Sequence, residues 1–234
     1  MGAHVGQEFA HYEATGLRQQ IWIEPQPGVF AQLRAALPDE PRIRAFNVAC
    51  GSARSRATMH HIEGNRGLSD SLLEPDLALK RERWKDRDFR PGGTIEVDVI
   101  PLDDLFTQHD LDPRRYNLLC VDTQGFELEV LRGSTRLLRD AIDCLHLEVS
   151  TIPFYTGQCL LPDLDRFLAG AGFARVHTRW GPRDHGDAFY VRASRLTHWQ
   201  RRVLAIFGPR QRGKRPSVVV PPQPKVEILA TTLS

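Results

Sequence analysis

Long apolar runs are missing from this sequence of 234 residues. No stretch approaches the roughly 18 consecutive apolar residues that a membrane-spanning helix needs. The N-terminus also lacks the basic stretch and apolar core of a secretory signal, so we predict no transmembrane segment and a cytoplasmic location. None of the four cysteines forms a CxxC motif, which argues against a structural zinc site and favours a reducing compartment. The cysteines are Cys50, Cys120, Cys144 and Cys159.

Net charge is small as well, at +2, but it is unevenly distributed. From Arg192 onward the chain has nine Lys or Arg and one acid, whereas residues 1–191 have 22 bases and 28 acids. An acidic body with a basic tail does not indicate a nucleic-acid-binding surface, so no nucleic-acid partner is expected. Apolar residues between Leu196 and Phe207 alternate with arginines. This pattern indicates an amphipathic helix for an anionic membrane surface or an acidic partner, or one that packs back on the body.

The composition is that of an ordinary globular protein, with 41% hydrophobic and 26% charged residues. Short apolar runs alternate with helical patterns, which predicts an α/β fold with a mostly parallel sheet and helices on both faces. The runs 173–178 and 188–191 are predicted to close the sheet as an antiparallel pair. Residues 64–93 are predicted to be an insertion over the active face, with a helix at 75–84. The other strand candidates are 20–23, 43–50, 95–100, 117–121 and 144–147.

Small residues and an acid near the start of the chain are candidates for ligand binding. The segment from Gly2 to Gly6 precedes a helical stretch, where small residues let a ligand approach the backbone, although a simple helix cap explains them too. Glu24 ends the next strand, 18 residues after Gly6. An acid at that place can accept both hydroxyls of a ribose, or it is a surface residue favoured by the dipole of the following helix. These two features do not separate NAD from S-adenosylmethionine.

The segment Val121–Gly133, VDTQGFELEVLRG, carries a more specific pattern. It resembles the signature of FkbM-type S-adenosylmethionine-dependent methyltransferases, in which a strand ends in Asp-x-Glu/Gln-Gly. Other segments resemble motifs of this family in the same order, over about residues 2–192. They are Gly2–Glu8 (glycine loop), Ile23–Pro27 (acidic cofactor motif), Leu68–Leu72 (serine-rich segment), Ile100–Leu105 (Leu-Asp-Asp-Leu), His146–Ser150, Phe154–Tyr155 and Gly170–Phe173.

The resemblance implies a class I methyltransferase (Rossmann-like) domain over residues 1–192, followed by a basic extension, 193–234, that is partly flexible. It also implies S-adenosyl-L-methionine as cofactor and methyl transfer, usually to a hydroxyl oxygen of a small molecule or glycan. The segments that carry the resemblance assign cofactor binding to Gly2, Ala3, His4, Gly6, Glu8, Glu24, Pro25, Ser69, Ser71 and Asp122.

Asp122, Gln124, His146 and Glu148 are the candidates for catalysis. Methyl transfer needs an aligned acceptor hydroxyl and a group that takes its proton. Asp122 could orient or deprotonate the acceptor, hold a metal that does so, or cap the next helix; no metal site is predicted. Gln124 is an amide where many family members have Glu, so it cannot be a base but can bind substrate. Glu148 is expected to be paired or functional, because burying an unpaired carboxylate would be costly. His146 is either a base or a structural histidine. Glu127 is interpreted as a helix cap.

The sequence departs from the family at its start. The glycine loop of this fold normally follows the central strand, but here Met1 directly precedes Gly2, and His4 replaces a common Asn. We therefore predict that the first central strand is missing, with an upstream segment absent or with 217–220 or 226–229 in its position. The missing strand and Gln124 favour an alternative, a truncated or degenerate cofactor-binding or interaction module without catalysis. An NAD-dependent oxidoreductase ranks last, because no GxGxxG is present.

Overall fold

The computed structural model describes residues 1–65, 67–181, 183–197, 200 and 230–231. Strands and helices alternate over most of these residues, as the sequence predicts. The strands are β1 (Gln20–Ile23), β2 (Ile43–Phe46), β3 (Ala49–Cys50), β4 (Ser55–Glu63), β5 (Arg90–Ile100), β6 (Leu118–Val121), β7 (Cys144–Ser150), β8 (Phe173–Trp180), β9 (His185–Arg192) and β10 (Ala230–Thr231). The helices are α1 (Phe9–Ala14), α2 (Pro27–Ala36), α3 (Leu77–Arg83), α4 (Leu102–Gln108), α5 (Glu127–Arg132), α6 (Thr135–Asp140) and α7 (Leu161–Gly170).

The described strands form mixed sheets, with four parallel and three antiparallel pairings. β1 pairs with β2, β3 with β5, and β6 with both β7 and β10, all in parallel. β9 lies between β7 and β8 and is antiparallel to both, which confirms the predicted closing pair. β2 and β3 are separated by only Asn47 and Val48, and the Asn47 side chain donates to the carbonyl oxygens of Glu24 and Pro25 at 2.8 and 2.9 Å. This contact holds the break in the strand against the end of β1.

The position beside β6 is occupied in the structure, although the sequence offers no apolar run for a central strand. β10 pairs in parallel with the first two residues of β6. Farther along, the Met1 nitrogen donates to the Cys120 carbonyl oxygen at 3.1 Å, and the Asp122 N–H donates to the Met1 carbonyl oxygen at 3.2 Å. The backbone groups of β6 that a missing strand would leave unpaired therefore have partners. The segments 217–220 and 226–229 and most of the proposed tail helix lie outside the described residues.

Between Ser55 and Ile100 the chain forms a long antiparallel hairpin, β4 and β5, with α3 in the connection. The predicted helix at 75–84 is confirmed by α3. The sequence does not predict β4, because only two of its nine side chains, Met59 and Ile62, are buried. β5 also begins at Arg90, within the expected insertion, rather than at residue 95.

The main core lies around β6 and β7. All four residues of β6 are buried, as expected for a strand covered on both faces. Leu119 and Val121 pack with α4 to α7, whereas Leu118 and Cys120 pack with Leu17. The Leu-Asp-Asp-Leu segment contributes Asp103, whose carboxylate accepts the N–H groups of Arg136 and Leu137 at 2.7 and 3.0 Å. Asp103 therefore caps α6, because the residue before that helix, Ser134, gives it no side-chain cap. None of the described helices is long and apolar enough to cross a membrane.

Candidate active site

A cavity of about 280 Å³ opens where β1, β6 and β7 end. This is the edge at which parallel sheets bind ligands. We refer to it as the first cavity. Most of the residues predicted for the site line it: Gly2, His4, Glu8, Glu24, Pro25, Ser71, Asp122, Gln124, His146 and Glu148. The structure thus brings together residues that lie more than 140 positions apart in the chain.

Three residues predicted to bind the cofactor do not line this cavity. Ala3 is buried in a small core with Trp22, and its N–H donates to the Ile23 carbonyl oxygen at 3.1 Å. Gly6 turns the chain with a φ of 78°, and a side chain there would begin 2.9 Å from Leu33. Ser69 accepts a hydrogen bond from Asn65 at 2.6 Å and lines a different cavity. These three residues shape the loops around the first cavity but do not line it.

Glu24 ties the glycine loop to the end of β1. One carboxylate oxygen accepts the His4 N–H at 2.9 Å, and the other accepts the Gln26 N–H at 2.9 Å. Only 5% of the residue is exposed, and this burial raises its pKa, which the two backbone N–H groups oppose. Each carboxylate oxygen keeps a second lone pair, so Glu24 can still accept hydroxyl groups from a ligand in the cavity.

His4 has a left-handed backbone, with a φ of 45°. Among residues other than glycine, Asn, Asp and His are the ones enriched in this conformation. The replacement of the family's Asn by His4 therefore suits the turn. The His4 ring lies within hydrogen-bond distance, 3.3 Å, of the Gln7 side-chain oxygen.

Gln124 bridges the two acids of the site. Its side-chain nitrogen donates to Asp122 and to Glu148, both at 2.8 Å. Its side-chain oxygen accepts the Tyr155 hydroxyl at 2.9 Å. All three contacts specify the same amide orientation. Burial raises the pKa of Glu148 well above its ordinary value, and the negative charges of Asp122 and Glu127 raise it further, which favours protonated Glu148.

Glu127 begins α5 and closes the loop before it. One of its oxygens accepts the N–H of Thr123, the hydroxyl of Thr123 and the N–H of Gly125, at 2.9, 3.1 and 3.1 Å. Glu127 thus lies in the first turn of α5, as predicted, but its bonds hold the preceding loop, and α5 has no side-chain cap. Burial raises the pKa of Glu127 to about 7. Oxygens of Asp122, Glu127 and Glu148 lie within 4.8 Å of one another, close enough to hold a cation. When no cation is bound, the raised pKa values of Glu127 and Glu148 favour protonation within this cluster.

His146 lies on the same face of β7 as Glu148, as its spacing predicts. Its Nε2 is 3.7 Å from a carboxylate oxygen of Asp187, which is in turn bound by Arg179 at 2.7 Å. The His146 side chain is 43% exposed, and it lines the cavity together with Arg179 and Asp187. His146 is thus placed at an open wall, and a role as base stays a prediction.

A second cavity, of about 350 Å³, lies on the other side of Asp122, Gln124 and Glu148. These three residues, which we call the shared wall, line both cavities. The opposite side of the second cavity comes largely from the connection between β4 and β5, which includes α3. The side chains there are Asn65, Leu68, Ser69, Lys80, Trp84, Arg87 and Phe89.

Lys80 and Tyr155 are site residues that the sequence did not single out for chemistry. Lys80 is only 3% exposed, and its ammonium donates to the Tyr155 hydroxyl at 2.8 Å. The Tyr155 hydroxyl in turn contacts Gln124 and the Ser69 carbonyl oxygen, both at 2.9 Å. Tyr155 could have been found in the sequence, because Phe154–Tyr155 resembles a family motif. Lys80 could not, because it lies in a run of charges that predicts a solvated helix face.

Known proteins share sequence and fold with this chain. A protein in Sinorhizobium fredii described as 2-O-methyltransferase NoeI is 28% identical over 145 residues, which are 60% of this chain and 57% of that protein. The crystal structure of a methyltransferase FkbM from Methylobacillus flagellatus has a TM-score of 0.50 and 18% identity, over 81% of this chain and 41% of that one. The chain thus spans little more than half the length of the curated relative, and the structural match shows the fold alone.

The family itself is shown by a sequence model of the methyltransferase FkbM domain, which matches residues 1–175. The match includes the glycine loop, Glu24, the shared wall and Tyr155. This chain belongs to the FkbM methyltransferase family.

Proposed function

We propose that the protein is an S-adenosylmethionine-dependent O-methyltransferase that acts on a hydroxyl of a small molecule or glycan. The observation that carries the proposal is the shared wall between two cavities, one beside Glu24 and one beside the insertion. A transferase for two substrates needs such an arrangement, because donor and acceptor must meet in line at one point. The relative described as a 2-O-methyltransferase supports oxygen as the acceptor atom.

The first cavity fits the cofactor in the chemistry of its side chains. Glu24 offers carboxylate lone pairs for ribose hydroxyls, and the turn at Gly2 leaves the backbone open beside it. When bound, S-adenosylmethionine supplies an electrophilic methyl group on a sulfonium. Gly2, His4, Glu24 and Asp122 are the residues that we expect to hold it.

The second cavity is the proposed acceptor site. Asp122 is the acid of the shared wall that we assign to the acceptor hydroxyl, because Glu148 favours its protonated form. Gln124 holds Asp122 in place and, as an amide, cannot take the proton itself. A hydroxyl that donates a hydrogen bond to Asp122 would pass its proton to that carboxylate as its oxygen takes the methyl group and the methyl–sulfur bond breaks.

The location and the partners are part of the same proposal. All four cysteines are free thiols, which fits a reducing compartment such as the cytoplasm. The acceptor is the expected partner, and a contact of the basic tail with an acidic surface stays a prediction.

The decisive experiment is isothermal titration of S-adenosylmethionine and S-adenosylhomocysteine into the full chain and its Glu24→Gln variant. Gln can accept only one of the two N–H groups that Glu24 accepts, so we expect affinity to fall at least about tenfold. Glu82→Gln, at an exposed position of α3, is the matched control and should bind as the wild type does. Thermal melting reports whether the variants are folded. A folded wild-type chain that binds neither ligand would refute the proposal.

A further inference from the structure

Both carboxyl groups and cations line the second cavity. Asp122, Glu127 and Glu148 lie on the sheet side. Lys80 and Arg87, from the connection between β4 and β5, lie on the other side, together with Arg183. A ligand in this cavity therefore meets both carboxyl groups and cations.

Two of these cations lack an acidic partner within the described part of the chain. No described residue places a carboxylate oxygen within 4.0 Å of the Lys80 ammonium, and among the described groups the Tyr155 hydroxyl accepts one of its three N–H groups. Arg87 has no carboxylate at that distance either and hydrogen-bonds to the Asn65 side-chain oxygen. Arg183, by contrast, is paired with Asp86 at 2.9 Å. The cavity thus offers two positive groups whose charge nothing in direct contact neutralises.

The surroundings of Lys80 make its charge costly. Its ammonium lies 4.0 Å from the centre of the Tyr155 ring and 5.6 to 5.7 Å from those of Phe154, Trp84 and Phe89. Aromatic faces compensate an ammonium only in part, since they offer no hydrogen-bond acceptor for its remaining N–H groups. A methionine or leucine would fill this aromatic pocket without the cost of burying a charge. The lysine is therefore better explained by what it binds than by what it packs against.

We propose, on the basis of the function proposed above, that the second cavity selects acceptors that carry an anionic group, such as a carboxylate, beside the hydroxyl that is methylated. Lys80 binds the anionic group inside the cavity, and Arg87 adds positive charge at its exposed side. The hydroxyl lies against Asp122. Hydroxy acids and acidic sugars are the chemical classes that present both groups at once.

The lowered pKa of Lys80 agrees with this assignment. Burial lowers it from 10.5 to about 8, against the opposing effect of Glu148. A bound anion would favour the charged ammonium and raise the pKa again. The competing reading is that Lys80 only offsets the charge of the shared wall, in which case neutral and acidic acceptors should bind equally well.

The test measures binding of matched pairs of probes to the full chain, with and without S-adenosylhomocysteine. The pairs are D-glucuronate with D-glucose, D-galacturonate with D-galactose, and lactate with propane-1,2-diol. We expect the acid of at least one pair to bind at least about tenfold more tightly than its neutral partner, as for a charge-assisted contact. The preference should vanish in Lys80→Met and persist in Lys85→Met, which removes an exposed lysine of the same segment.

Either of two results overturns the proposal: no preference for the acid in any pair, or a preference that survives in Lys80→Met. Circular dichroism shows that the variant is folded. Binding of S-adenosylhomocysteine in the same titrations tests the first cavity separately. Failure of the proposed function is therefore seen as loss of that binding, whereas failure of this inference leaves it intact.

Discussion

Replacing Lys80 with Met should make the protein more stable at pH 7, because it removes a buried charge that has no acidic partner within the described residues. Methionine has a similar length, and its thioether packs well against aromatic rings. Trp84, Phe89, Phe154 and Tyr155 surround the position. Most large changes in a core destabilise a protein, so a gain in the free energy of unfolding is a specific expectation.

The magnitude follows from the pKa of Lys80, which burial lowers from 10.5 to about 8. That difference corresponds to about 3 kcal/mol against the charged form in the folded state. Loss of the hydrogen bond to Tyr155 and of the cation–π contacts returns about 1 to 2 kcal/mol. We therefore expect a net gain of about 1 to 2 kcal/mol at pH 7.

The gain should depend on pH in a defined direction. Between pH 8 and 10.5 the unfolded chain keeps a proton on Lys80 that the folded protein has released, so wild-type stability rises with pH relative to the variant. Glu148, Arg87 and the Tyr155 hydroxyl are the other ionisable groups that face Lys80, and the variant retains all of them.

Urea unfolding followed by tryptophan fluorescence at pH 7 and pH 10 measures both effects. Lys85→Met is the control and should leave the free energy of unfolding within about 0.5 kcal/mol of the wild type. A variant that is less stable than the wild type at pH 7, or a gap that does not narrow by pH 10, would refute the reasoning.

Three further predictions concern single side chains. Asp103→Ala should lower the free energy of unfolding by about 1 to 2 kcal/mol because the cap of α6 is lost, whereas Asp104→Ala, at a solvent-facing salt bridge, should cost less than about 0.5 kcal/mol in the same chemical denaturation. Gly133→Ala should cost about 3 kcal/mol or abolish folding, because its methyl group would lie 1.9 Å from a backbone carbonyl oxygen; Gly170→Ala, which meets nothing within 4 Å, should keep the wild-type melting temperature or raise it. Tyr155→Phe should bind S-adenosylhomocysteine within about twofold of the wild type but lose at least about tenfold in turnover of an identified acceptor, because Gln124 loses one of the contacts that orient it. Equal losses in binding and turnover would contradict the third expectation.

Sequence patterns succeed where one local rule governs a segment. The apolar run at 117–121 predicts β6 because a strand buried on both faces needs apolar side chains throughout. Glu24 attracts attention in the sequence because an acid at the end of a strand can serve either a ligand or the following helix, and the structure places it beside the first cavity. Asp122, Gln124 and Glu148 come from the same rule, and the structure places all three on one wall.

The sequence is less informative where a residue's role depends on distant partners. β4 is a strand because its backbone pairs with that of β5, although most of its own side chains are polar. The sequence predicts that Lys80 is a solvated helix residue, since no neighbouring residue in the sequence indicates that Trp84 and Phe154 cover it. Asp103 looks like part of a functional motif, yet its partners Arg136 and Leu137, more than 30 positions away, make it a cap.

The shared wall has a consequence for how the two ligands of the proposed reaction affect each other's binding. Two ligands that touch the same three side chains do not bind independently. The first ligand changes the hydrogen bonds of the Asp122–Gln124–Glu148 network, and the second ligand meets the network in that changed state. Their affinities are coupled by a single free energy, and each ligand must change the affinity of the other by the same factor. Steady-state kinetics should therefore show double-reciprocal lines that intersect above or below the horizontal axis rather than on it, and a product left in one cavity should alter the apparent affinity measured for the other.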